Sequence, residues 1–87
     1  MGIVDIYLLK VLSELPEKNL SLKEIVYEIT KLNLKKPPSR IALYQRLSIL
    51  SERRQVNFIW EEGAKFYIIS PKGLMTISEH KKLLISA

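Results

Sequence analysis

The chain has 87 residues, no cysteine and a net charge of +5. That length suits one domain, spanning 1–87, with a single modest core of the size that a partner subunit often completes. The lack of Cys excludes a disulfide framework and a thiolate metal site, which fits an intracellular protein, and a hydrophobic share of 47% excludes a disordered tail. No apolar run approaches the roughly 20 residues a membrane span needs. The N-terminal apolar stretch is broken by Asp5 and Lys10 and lacks the basic leader of a secretory signal. A cytoplasmic, nucleoid-associated protein without membrane contact is therefore expected. Ile and Lys are abundant and Gln is scarce, which leans towards a thermophilic source.

In chain order, residues 3–14 read as a first helix with two apolar rows, Ile3, Ile6, Tyr7 and Val11 beside Val4, Leu8, Leu12 and Leu15. A helix so apolar needs cover on two sides, from its own core or from a second subunit. Pro16 ends it. Ser21-Leu22-Lys23-Glu24 has the form of a capping box, and Leu22, Ile25, Val26, Ile29 and Leu32 follow at helical spacing, so a second helix covers 22–31. Asn33 suits a left-handed stop, and Pro37-Pro38 cannot continue a helix. Ser39 is the next N-cap. A third helix, 40–53, turns Leu43, Leu47 and Leu50 to the core and Ile41, Gln45, Ser48 and Glu52 outward.

Val56–Trp60 and Lys65–Ile69 alternate and are rich in aromatic and β-branched residues, so 56–69 reads as a hairpin turning at Glu61-Glu62-Gly63-Ala64. Ser70 and Pro71 then suit the N-cap and first position of a fourth helix, 71–84. The basic excess is localised within this order. Lys31, Lys35, Lys36, Arg40, Arg46, Arg53 and Arg54 stand against Glu52 alone, a net +6, which leaves −1 for the rest of the chain. That is the electrostatic footprint of a nucleic-acid binder. Its plainer alternative is a solvated loop beside an ordinary surface helix.

Helix, helix, turn, helix, hairpin, helix is the order of the winged helix-turn-helix, an α+β fold with a three-helix core, a two-stranded wing and a C-terminal helix. Leu43-Tyr44-Gln45-Arg46-Leu47, with Leu50 after it and Val56 opening the hairpin, resembles the recognition-helix segment of PadR-type regulators. Ile69-Ser70-Pro71-Lys72-Gly73 is similar to the segment that closes the wing in PadR- and MarR-type proteins. The resemblance, to DNA-binding proteins of an archaeal or archaeal-virus-like kind, covers about residues 20–75. Two features depart from it. Arg54-Gln55 stands where these families usually have a Gly, and Glu61 and Glu62 occupy a wing tip that often carries Arg or Lys.

The resemblance implies a homodimeric transcription regulator that binds double-stranded DNA through the third helix. It puts Ser39, Arg40, Ala42, Tyr44 and Gln45 nearest the bases. Arg40 would pair with guanine, Gln45 with adenine, and Ala42 or Ile41 would touch a thymine methyl. Lys35, Lys36, Arg46, Arg53, Arg54 and Lys65 would neutralise phosphates. Arg46 and Arg53 have a plainer role as solubilising residues, Tyr44 as a core residue, and Ser39 as a cap. The apolar surplus of the first helix and the C-terminus points to Ile3, Val4, Tyr7, Leu8, Leu83 and Leu84 as the dimer surface.

Phe58, Trp60 and Tyr67 could form a stacking platform for single strands, but alternating strands favour core or interface for most of them. No catalytic constellation stands out. His80 is the one His, without a second His or Cys for a metal, and Gly63 and Gly73 do not form a phosphate loop, so neither enzyme activity, cofactor nor metal is expected. The competing function is a winged helix that docks on protein, favoured by the acidic wing tip and the outward Ile41 and Ile49. A small-molecule sensor has no sequence feature in its support.

Overall fold

α1 (Ile3–Ser13) is the helix against which the others pack: α2 (Leu22–Thr30), α3 (Arg40–Glu52) and α4 (Pro71–Ser86) all contact it. The structure is a computed structural model that describes the backbone of residues 2–86 and the side chains of residues 2–80. α4 thus lies on α1 of its own chain. The row that α1 seals in the core is Asp5, Leu8, Leu9 and Leu12, with Val11 beside them. This differs from the two rows expected from sequence. The deepest row begins with a carboxylate, and an acid ordinarily marks a solvent face.

Leu8 is fully enclosed, so it is a core residue and not part of a dimer surface. Ile3 is 58% exposed, Val4 and Tyr7 are partly buried, and Leu83 and Leu84 lie outside the described side chains.

α2 starts with the capping box. The Ser21 backbone N–H donates to Glu24 Oε1 at 3.1 Å, and the Glu24 N–H donates to Ser21 Oγ at 3.2 Å. Such a cap contributes about 1 kcal/mol. Ile25 and Ile29 go into the core, and Asn33, at φ 53°, turns the chain out of the helix. α3 starts where the Ala42 N–H donates to Ser39 Oγ at 3.1 Å, and it buries Leu43, Leu47 and Leu50 at i, i+4 and i+7.

The sheet has three antiparallel strands, not the two expected, in the order β1 (Leu20–Ser21), β3 (Ala64–Ile69), β2 (Val56–Glu61). Leu20 pairs with Tyr67 and Ser21 with Phe66. This short strand covers an edge of β3 whose backbone groups would otherwise lack partners. It is too short to show a period in sequence. At the hairpin tip Glu62 and Gly63 both have positive φ, 50° and 79°, which is the two-residue turn whose twist matches the strands.

The junction after α3 explains the Ile69–Gly73 segment. Arg54 is left-handed at φ 61°. Its N–H donates to Ser51 O at 3.1 Å, and the Gln55 N–H donates to Leu50 O at 2.9 Å, the paired bonds of a Schellman stop. Arg therefore takes a left-handed conformation that Gly adopts at least cost. Ser70 Oγ donates to Arg54 O at 2.6 Å and accepts from the Gly73 N–H at 3.0 Å, while Lys72 Nζ donates to Arg53 O at 3.0 Å. A Cβ on Gly73 would lie 2.1 Å from Gln55 O, so only Gly lets α4 approach this turn. Among the described residues, no helix is long and apolar enough to cross a membrane.

Two substitutions at this junction should move stability in opposite directions. Arg54→Gly relieves a left-handed side chain and should stabilise by about 1 kcal/mol. Gly73→Ala forces backbone apart and should cost about 2 kcal/mol or more. Urea midpoints at unchanged slope measure both.

Candidate nucleic-acid interface

α3 has two unlike sides because its leucine row is fixed in the core. Away from that row, Arg40, Ile41, Tyr44 and Gln45 are exposed, Ile41 at 72% and Tyr44 at 46%. Ser39, also exposed, stands at the N-terminal end of this side as the cap. Ala42 is half-buried, which narrows what its methyl can reach. Lys35 and Lys36 are exposed on the turn before the helix, and Arg53 and Arg54 are exposed at its far end. Sequence thus names a group that the fold brings onto one helix and its two flanks, with two exceptions.

The first exception is Arg46. Its Nε and one terminal nitrogen donate to the two carboxylate oxygens of Asp5, each at 2.7 Å. Asp5 is fully buried, while the Arg46 side chain keeps 34% of its exposure. The hydrogen bond from Arg46 is the main cause that holds the Asp5 carboxyl below its usual pKa of 3.8, against the opposing effect of burial. Arg46 is accordingly a structural partner that ties α3 to α1, and the phosphate role expected for it gives way. The pairing had a readable trace. Asp5 leads the row of Leu8, Leu9 and Leu12, and Arg46 is the charge adjoining Leu47 on a helix otherwise basic at its ends.

Lys65 is the second exception. Its ammonium does not extend from the wing tip. It lies 4.0 Å from the Phe58 ring centroid, 5.3 Å from Tyr67, 5.7 Å from Tyr44 and 5.8 Å from Trp60, all within cation–π range. The strand register produces this, since Phe58 faces Tyr67 and Trp60 faces Lys65 on one side of the hairpin. Tyr67 is buried, but Phe58 is 43% and Trp60 66% exposed, so of the core or interface places that alternation suggested, the core holds Tyr67 and not Phe58 or Trp60. Alternation identifies a shared side of the hairpin. It does not show how far along the wing the core extends.

Beside this cluster is an open cleft of about 260 Å³ lined by Ser21, Leu22, Lys23, Arg40, Tyr44, Ala64, Lys65 and Tyr67. Lys23 was not singled out in the sequence. It is placed there by the start of α2, which faces β3 through β1. Of the basic residues between 31 and 54, Lys31 is engaged by Glu28 at 3.0 Å and Arg46 by Asp5. Lys35, Lys36, Arg40, Arg53 and Arg54 form no ion pair among the described residues. No group of three or more His, Cys, Asp or Glu able to hold a metal occurs among the described residues.

The architecture matches solved structures over nearly its whole length. A PadR-like transcription factor from Bacteroides fragilis superposes with a TM-score of 0.82 at 17% identity, covering 98% of this chain and 82% of that one. The fold is a winged helix-turn-helix. A PadR family transcription regulator from Clostridium difficile R20291 shares it at a TM-score of 0.78 and 15% identity, over 93% of this chain and 85% of its own. SSV1 F-93 shares it at 0.64 and 20% identity, over 99% and 90%. No family model and no curated protein sequence matches the chain. In winged-helix terms, α2 and α3 are the helix-turn-helix and β2–β3 is the wing.

The Asp5–Arg46 pair makes acid stability predictable. Because the folded pKa of Asp5 lies below its unfolded value, its contribution is complete above about pH 4 and is lost as pH falls through the lowered folded value. Arg46→Met strands a buried carboxylate and should destabilise. Asp5→Leu combined with Arg46→Met should recover most of that loss and flatten the acid limb. Thermal unfolding between pH 2 and 7 for the three proteins tests this.

Proposed function

We propose that the chain binds double-stranded DNA sequence-specifically through α3, acts as a homodimer, and regulates transcription from a cytoplasmic, nucleoid-associated position. The observation that carries this reading is the division of α3. Three leucines and Arg46 anchor it, while Arg40, Tyr44 and Gln45 remain exposed between two pairs of exposed cations. A helix so anchored enters a major groove with its N-terminal half at the base edges. Arg40 and Gln45 carry the donor and acceptor groups for bidentate pairing with guanine and adenine, and Ile41 or the less accessible Ala42 the apolar surface for a thymine methyl. Ser39 and Tyr44 would complete the base-proximal set. Lys35, Lys36, Arg53 and Arg54 would lie on phosphates, which fixes register and confers salt dependence. That two structures sharing the fold are transcription regulators supports the same reading.

The dimer reading is supported by a groove of about 310 Å³ beside α1, lined by Ile3, Ile6, Tyr7, Lys10, Leu32, Leu34 and His80. A two-fold dimer would present two copies of α3 to successive major grooves, one helical turn (~34 Å) apart. A protein-docking function is the second reading, and the exposed Ile41 is the observation that favours it.

Duplex binding titrated against salt decides between them. Four phosphate-facing cations per protomer predict a log–log slope of about −4 for each protomer engaged. Lys36→Glu with Arg40→Glu should lower affinity for every duplex, whereas a protein adaptor would bind none at any salt. Ile3→Glu should shift sedimentation towards the monomer and weaken operator binding. An unchanged dimer would exclude the α1 groove.

A further inference from the structure

Trp60 and Phe58, on the exposed side of the wing, are left over by duplex recognition, while Tyr44 and Arg40 beside them are shared with it. A wing that inserts into a minor groove does so by its tip, and here the tip is Glu61 and Glu62, whose carboxylates would meet phosphates with like charge. Behind the tip the chemistry reverses. Trp60, Phe58 and Tyr44 present exposed rings around the Lys65 ammonium, and the adjoining cleft carries Arg40 and Lys23. The rings offer apolar area and π faces, and the three cations offer charge complementary to a polyanion.

We propose that this side of the wing is a stacking platform for the unpaired bases of a single nucleic-acid strand, a binding mode additional to the duplex reading. Exposed aromatic rings interleaved with cations are the features by which proteins hold single strands, because every base has a π face. A strand entering the cleft would stack a base on Trp60 and a neighbouring base on Phe58 or Tyr44. Its phosphates would meet Lys65 and Arg40, with Lys23 also lining the cleft. Duplex DNA could use the rings only at the cost of unstacking a base step, about a few kcal/mol, since its bases are already stacked on one another. The platform therefore suits a strand separated at a melted site or an overhang. A protein partner would need apolar groups to match the rings and acidic groups to match the cations; the polyanionic strand supplies both complements along its length.

Trp60 is the one tryptophan in the chain, so its fluorescence reports on this surface alone. The probe is oligo-dT of about 15 nucleotides, within the site sizes such platforms occupy. Saturating oligo-dT should quench Trp60. Trp60→Ala should weaken oligo-dT binding about tenfold or more, Trp60→Phe should restore most of it, and both variants should bind duplex DNA as the wild type does. Trp60 is exposed, so these variants are expected to fold, and circular dichroism checks that they do. Four results would each overturn the proposal: no quenching at saturation, equal oligo-dT affinity after Trp60→Ala, an equal loss of duplex affinity in that variant, or emission that changes with protein concentration before any oligonucleotide is added. The last would mean that a second copy covers the rings. Loss of the single-strand mode alone leaves the duplex reading standing, whereas wild-type failure on duplex DNA sinks that reading by itself.

Discussion

A buried carboxylate facing a half-exposed guanidinium sets the position of α3. Asp5 is enclosed in the core and keeps its charge because Arg46 donates to both of its oxygens. An apolar contact between α1 and α3 would tolerate sliding or rotation by a fraction of a turn. A two-bond planar pairing does not, because both oxygens must stay within hydrogen-bond distance of two nitrogens fixed in one fork. Such a pair adds little to net stability compared with a well-packed apolar substitute. Its effect is on angle and register, the quantities that decide where Arg40, Tyr44 and Gln45 point.

The other end of α3 is held by backbone chemistry. The helix stops in a Schellman turn with Arg54 left-handed, and the carbonyls of Arg53 and Arg54 are taken up by Lys72 and Ser70 from the start of α4. The close approach at Gly73 makes this possible. One junction therefore joins α3, β2, β3 and α4, so the wing and α3 form a single frame. Arg in the left-handed position 54 puts an exposed cation at the end of the helix, at some conformational cost.

Charge and aromatic surface separate on this frame. Cations that form no ion pair among the described residues flank α3, acids occupy the wing tip, and rings line the side of the wing next to α3. Lys65 belongs to the aromatic group by geometry although its type would assign it to the cationic one. Two kinds of surface side by side are consistent with two ways of holding a nucleic acid, one through groove edges and one through ring faces.

Much of the fold was legible in the residues themselves. The capping box at Ser21, the cap at Ser39, the left-handed Asn33 and the leucine row of α3 depend on neighbours within a few positions, and local rules read them directly. The exposed basic residues flanking α3 were legible for the same reason. What only the tertiary structure decided involves partners far apart in sequence: Asp5 with Arg46, β1 with β3, Lys65 with four rings, and Leu8 in the core. Composition and periodicity describe a side chain's type and its side of an element. Whether a cation meets solvent, a carboxylate or an aromatic ring depends on which other element arrives opposite it, and that is settled only when the whole chain packs.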